Sequence, residues 1–173
     1  DDPLWRVGDT YHTAIGQYGF QVTPLQMARV AGVIATDGVL VTPTILAASA
    51  TSSRQPARDL SLLIKPEFFR IVREGMRLAV IEGTAQRLNT FSVAIAAKTG
   101  TAELGTAKAN VNSWVIGFFP YETPRYAFAV VLERVKGEDP TRAALIIRDL
   151  VDWFATNAPE YLVNQVNEMA VDN

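Results

Sequence analysis

The chain has 173 residues, 49% of them hydrophobic, which is enough for one domain with a core of its own. A formal net charge of -2 argues against nucleic acid or an anionic membrane surface as a partner. With no cysteine, disulfides and thiolate metal sites are excluded, and either redox compartment is compatible.

Residues 1–21, punctuated by Gly8, Gly16 and Gly19, read as irregular. His12, the one histidine, reads as a hydrogen-bonding loop residue with no catalytic role. A helix then starts with a full set of signals. Thr23 is the N-cap, Pro24 fits N1, Gln26 at N3 completes a capping box, and Val22 with Met27 forms a hydrophobic staple. Leu25, Ala28, Val30, Ala31, Val33 and Ile34 point all round the axis, which predicts a buried helix. Asp37-Gly38 should end it, with Gly38 in the left-handed C′ position. Residues 39–46 read as short extended pieces broken by Pro43, and residues 50–59 as a polar surface loop.

Pro66 and Glu67 open a second helix reaching about Glu82. Its apolar face is Phe68, Ile71, Val72, Met76, Leu78 and Ala79, with Glu67–Arg70 and Glu74–Arg77 paired on the wet side. Gly83-Thr84-Ala85 closes it, and residues 93–97 read as a buried strand. After a loop at 104–110, strands at about 111–119 and 125–134 complete an antiparallel meander. Those strands are apolar at odd and even positions alike, which predicts covered faces on both sides. Asp139 and Pro140 should start a third helix, with Ala143, Ile146, Ile147, Leu150, Val151 and Phe154 as its stripe, before a short helical piece at Pro159. The fold class is α+β: an antiparallel sheet of three strands covered by helices on both faces, one domain or part of one.

Function concentrates in residues 93–102, Val-Ala-Ile-Ala-Ala-Lys-Thr-Gly-Thr-Ala. An apolar run ends in Lys98, Thr99, Gly100 and Thr101. A lysine there is costly to desolvate unless it meets water, an anion or a carboxylate. Gly100 is expected where another backbone or a ligand approaches closely. The four residues suit a strand edge that receives a peptide-like ligand ending in a carboxylate, added as an extra strand. As a tetrapeptide alone, they are most often an ordinary strand end running into a turn.

The longer pattern is more specific. Ala97-Lys98-Thr99-Gly100-Thr101-Ala102-Glu103 resembles the Lys-Thr-Gly motif of class B penicillin-binding proteins, the cell-wall D,D-transpeptidases. Tyr11-His12-Thr13-Ala14-Ile15-Gly16-Gln17 and Val22-Thr23-Pro24-Leu25-Gln26-Met27-Ala28 resemble the segment before it. Asn112-Ser113-Trp114-Val115-Ile116-Gly117-Phe118-Phe119-Pro120 and Tyr126-Ala127-Phe128-Ala129-Val130-Val131 resemble the strands after it. The likeness runs over about residues 8–154 in the family's order. It implies a partial β-lactamase/transpeptidase-like fold and places the Gly16-Gln17-Tyr18-Gly19 loop near the cleft.

The resemblance implies a serine-type acyltransferase for the parent protein. A serine attacks the D-alanyl-D-alanine carbonyl of a peptidoglycan stem peptide, and an amine takes the acyl group; penicillins acylate the same serine. Lys98 and Thr101 would be catalytic, Lys98 through its charge and Thr101 through an oxyanion-hole N–H. Thr99, Gly100 and Thr101 would bind substrate, the two hydroxyls on its carboxylate and Gly100 leaving room for the acyl group. No metal or cofactor is implied. Ser49, Ser52, Ser53, Ser61, Ser92 and Ser113 all lack the family's Ser-x-x-Lys and Ser-x-Asn contexts. The expectation is the C-terminal part of a transpeptidase domain over residues 1–173, with the nucleophile-bearing half absent and no activity alone. The implied partners are that half, the stem peptide, β-lactam antibiotics and cell-wall synthesis proteins of the divisome or elongasome. The implied place is the extracytoplasmic face of a bacterial inner membrane, through an anchor outside this chain, in cell shape or division. A non-catalytic module binding cell-wall peptide or protein, and a serine β-lactamase relative, are the alternatives.

Overall fold

The computed structural model describes residues 4–17, 20–45, 57–61, 63–105, 109–136, 139 and 141–162. Four α-helices, α1 (Val7–Ala14), α2 (Pro24–Ala35), α3 (Pro66–Ile81) and α4 (Ala143–Asn157), surround two small sheets among those residues. The larger sheet is the expected meander, in the order β3 (Ala96–Leu104), β4 (Asn110–Phe119), β5 (Tyr126–Lys136), all antiparallel. The smaller pairs β1 (Val39–Leu40) with β2 (Arg58–Asp59). So the polar loop expected at 50–59 ends in a strand, and residues 46–56 lie outside the described part. Ser61 hydrogen bonds hold the Asp59 carboxyl below the usual carboxylate range.

Helix α1 corrects the reading of residues 1–21 as irregular. Asp9 accepts from the Arg6 N–H at 2.8 Å and so caps the first turn. At the other end Gly16 (φ 71) takes the left-handed C′ position. Gly16 N–H donates to the Thr13 carbonyl and Gln17 N–H to that of His12, the paired bonds of a Schellman ending.

Helix α2 starts as expected: Gln26 N–H donates to Thr23 Oγ1, and Thr23 N–H donates to Gln26 Oε1. Its end is one residue early. Asp37 (φ 54), not Gly38, holds C′, at a left-handed φ that costs a residue with a Cβ. Arg73 donates to both Asp37 carboxylate oxygens at 3.0 and 3.1 Å. Gly38 follows at φ 117 against the Phe69 ring, where neither backbone nor space admits a side chain. Ala31, Val33 and Ala35 are buried, but Leu25 and Val30 are exposed, so α2 is one-sided where the sequence predicts burial all round.

The apolar face of α3 is also corrected. Phe69, Met76 and Val80 are buried, whereas Phe68, Ile71, Val72 and Leu78 lie outside. Arg77 does not pair with Glu74; it donates to the Ile95 carbonyl at 2.9 Å and holds the entry to β3. Arg70 pairs with Glu74 instead, and Lys65 with Glu67.

Both faces of the large sheet are covered, as its composition predicts. On one, Val115 and Phe119 pack with Leu88, Ile95, Ala143, Ile147 and Val151; on the other, Ala96 and Phe118 pack with Ala35 and Met76. Fully burying a Val, Leu, Ile, Phe or Met side chain contributes about 1.5–3 kcal/mol. In α4 the buried stripe is Ala143, Ala144, Ile147 and Val151, while Ile146 and Leu150 are exposed. Asp139 is not its N-cap, and Pro140 lies outside the described residues. The helix begins at Ala143, whose N–H donates to Ser113 Oγ, a buried hydroxyl of β4. Asp139 instead accepts from Arg87 at 2.9 Å. The short piece at Pro159–Tyr161 is a 3-10 turn.

Candidate active site

The strand that carries the motif runs over Ala96–Leu104, so Lys98 to Thr101 lie inside it and not at its end, as residues 93–97 suggested. Inside a strand, successive side chains alternate between faces. The register sets Lys98 opposite Ile116, Gly100 opposite Trp114 and Ala102 opposite Asn112, on one face. Thr99 and Thr101 point to the other.

Lys98 is exposed, and its Nζ donates back to the Thr99 carbonyl at 2.6 Å. At Gly100 an added Cβ would come within 3.3 Å of Trp114 Cβ, so the missing side chain also serves strand packing. Thr99 is only 7% exposed, and its hydroxyl shares a 2.7 Å hydrogen bond with Thr84 Oγ1 just beyond α3. Thr101 is exposed. Gln17 Nε2 donates to the Thr101 carbonyl at 2.7 Å. The Thr99 and Thr101 carbonyls therefore turn to the outer edge of β3. In an antiparallel strand the N–H of the same residue faces the same side, so both N–H groups point to that edge too. β3 is an edge strand, with no further strand beside it among the described residues.

A cavity of about 400 Å³ opens on the Lys98 face. Its floor is β3 and β4, through Lys98, Gly100, Trp114 and Ile116. Met27 of α2 and the segment after α1, through Ile15, Phe20 and Val22, form the opposite wall. The walls are mainly apolar, with an ammonium and backbone donors along one side. That arrangement suits a ligand with an apolar body and an anionic or carbonyl end.

All four motif residues line this cavity. The loop expected near the cleft also reaches it, through Gly16; Tyr18 and Gly19 lie outside the described residues. His12 lies exposed on α1. The motif reading missed Asn112, Trp114 and Ile116. Their signal was available: every second residue of β4 opposite Lys98 shares its face. It also missed Thr84, which only the fold brings to Thr99. Among the described residues no carboxylate or histidine cluster could hold a metal ion, and no helix is long and apolar enough to cross a membrane.

Residues 1–152 match the family described as penicillin binding protein transpeptidase domain. Peptidoglycan D,D-transpeptidase PbpA of Mycolicibacterium smegmatis is 35% identical over 132 residues, covering 70% of this chain and 26% of that protein. A penicillin-binding protein (PBP2) solved in complex with MreC from Helicobacter pylori superposes with a TM-score of 0.70 at 32% identity, covering 87% of this chain and 28% of the other. Penicillin-binding protein A from M. tuberculosis, solved as an imipenem acyl-enzyme, gives 0.67 at 30% identity, covering 81% and 32%. The chain thus spans between a quarter and a third of these relatives' length. Sequence, sheet order and motif converge on one assignment: the chain belongs to the penicillin-binding protein transpeptidase domain family, in its class B branch.

Proposed function

We propose that this chain supplies one wall of the acyl-transfer site of a peptidoglycan D,D-transpeptidase, a serine-type acyltransferase that cross-links stem peptides and is acylated by penicillins. One observation carries the reading: an exposed ammonium, Lys98, beside an open strand edge whose Thr101 N–H faces outward over a largely apolar cavity. Thr101 N–H is one oxyanion donor, a role in which removal typically costs about 2.7–4 kcal/mol. Lys98 attracts the ligand carboxylate and stabilises negative charge nearby, and the Thr101 hydroxyl donates to that carboxylate. Thr99 points to the same side of the strand as Thr101, and its hydroxyl reaches the ligand by exchanging Thr84 for it. Gly100, having no Cβ, leaves space for the acyl group.

The nucleophile comes from the rest of the domain. Support lies in the serines of this chain, none of which has a lysine three residues on. Further support is the apolar surface left outside, Phe68, Ile71 and Val72 on α3 and Leu25 and Val30 on α2, which that remainder covers. The acyl-enzyme seen with imipenem in the M. tuberculosis relative and the MreC complex of the H. pylori relative extend the proposal. β-Lactams are ligands of the parent, an elongation-type cell-wall protein is a partner, and the site works on the extracytoplasmic side of the membrane.

The test is the acylation rate of the full-length protein by a fluorescent penicillin. Thr101→Val keeps the N–H and removes the hydroxyl. A hydrogen bond to a charged group is worth about 1.5–3 kcal/mol, so acylation should slow by roughly 10- to 100-fold with the melting temperature unchanged. An unchanged rate removes Thr101 from the site.

A further inference from the structure

Strand β5 carries one residue too many opposite Asn112. Val111 pairs with Val135 and Ser113 with Leu132, so Glu133 and Arg134 together face Asn112, a β-bulge with Arg134 at φ 53. A left-handed φ is costly at a residue with a Cβ, and Asn112 helps to hold it: Arg134 N–H donates to Asn112 Oδ1 at 3.0 Å. That bond also settles which way the amide faces, because only its oxygen can accept from an N–H. The Nδ2 donors are left over, and they make no hydrogen bond among the described residues. They are not sealed in either, since no buried side-chain nitrogen among those residues lacks a partner. Asn112 lines the cavity and stands opposite Ala102, whose single methyl group cannot cover the amide.

With the ligand carboxylate at Lys98 and the scissile carbonyl at Thr101 N–H, the acyl portion of a peptide runs on past Ala102. We propose that Asn112 is a specificity-determining residue: its amide N–H, aimed by the β5 bulge, donates to one carbonyl or carboxylate of that acyl portion. This inference rests on the transpeptidase reading and adds a subsite to it. A donor fixed in place rewards an acyl portion long enough to bring an acceptor to it, and is indifferent to a shorter one.

The test uses the full-length protein and acyl-D-alanyl-D-alanine peptides whose acyl portion is shortened one residue at a time from its N-terminal end. Asn112→Ala removes the donor and the acceptor for the bulge together. Asn112→Asp keeps an acceptor for Arg134 N–H and removes only the donor, so a purely structural role would leave it with the wild-type series. Both variants should lower kcat/KM for the longest peptide at least about fivefold, the value of one ordinary hydrogen bond, and stay within about twofold of wild type on the shortest. One step of the series should account for the difference. An Asn112→Asp series that matches the wild type overturns the proposal, as does a loss of equal size on every peptide. Fluorescent penicillin labelling separates the two levels. A labelled wild type whose series the variants share defeats the Asn112 proposal alone, and an unlabelled wild type defeats the transpeptidase reading beneath it.

Discussion

The two faces of the β3–β4 pair are made from the same two strands and put to opposite uses. On one, Ala97, Val115 and Phe119 close against α4, none of the three more than 3% exposed. On the other, full burial stops at Ala96 and Phe118, and the next pairs, Lys98 with Ile116 and Gly100 with Trp114, look into a cavity. A strand needs only one solid face to be held in register. The packed face thus fixes where the motif backbone lies and leaves the other free for a ligand. Substitutions among the buried side chains of the packed face should be read out as stability, and those around Lys98 and the open edge of β3 as ligand processing.

Gly117 offers the hardest blow to that division. It sits on the packed face opposite Ala97, where an added Cβ would collide with the Ala96 carbonyl oxygen and lie 2.6 Å from the Phe128 ring. Backbone cannot step aside as a flexible side chain can. Gly117→Ala should cost at least the 1–3 kcal/mol usual for overpacking, about 2–4 °C in melting temperature per kcal/mol for a domain of this length. It should also slow acylation in the full-length protein, since Ala97 is next to Lys98. A melting temperature within a degree of wild type would mean the strands are not that close, and the packed face not that rigid.

Ser113 sharpens the comparison with a polar group. It is fully buried on the packed face and accepts from Ala143 N–H at 3.1 Å, so its hydroxyl serves a helix start and not the cavity. Ser113→Ala leaves a buried N–H unpaired and should lower stability by about 1–3 kcal/mol in urea unfolding. The acylation rate of the parent should stay put. Loss of acylation at unchanged stability would move Ser113 to the functional side.

Legibility in the sequence follows the range of the interaction. The α2 start was readable because Thr23, Pro24 and Gln26 satisfy one another within four residues. The meander was readable from short links and apolar runs. The α1 helix was not, because its two stops, an Asp9 bond to a backbone N–H and a glycine in a glycine-punctuated stretch, look like loop. On α3 two apolar rows compete, and only the sheet decides that Phe69 and Met76 go in while Phe68 and Ile71 stay out. Ser113 capping α4, Thr84 meeting Thr99 and Gln17 meeting Thr101 are contacts between distant segments, with no local trace. The motif itself was legible; its position within the strand, and the side chains that dress its edge, were not.

The smallest effect should come from the rim of the packed face. Asp139 accepts from Arg87 at 2.9 Å and from Thr141 at 3.3 Å, and the Arg87 hydrogen bond, against a smaller desolvation penalty, holds its carboxyl below the usual range. A carboxyl lowered in the folded state adds stability above its unfolded pKa of about 3.9 and loses it as pH falls through the folded value. Asp139→Asn should therefore lower the urea midpoint slightly and by a constant amount above about pH 5, and the gap should close on descent below about pH 4. High salt should shrink the gap as well, since the pair is within reach of solvent. The turn that carries Arg87 also bears Leu88 and is tied to α4 by Arg148, which donates to the Arg87 and Asn89 carbonyls. If Asp139→Asn changed acylation while the midpoint barely moved, this rim would be coupled to the cavity through Leu88 and β3, and the two faces would not be independent.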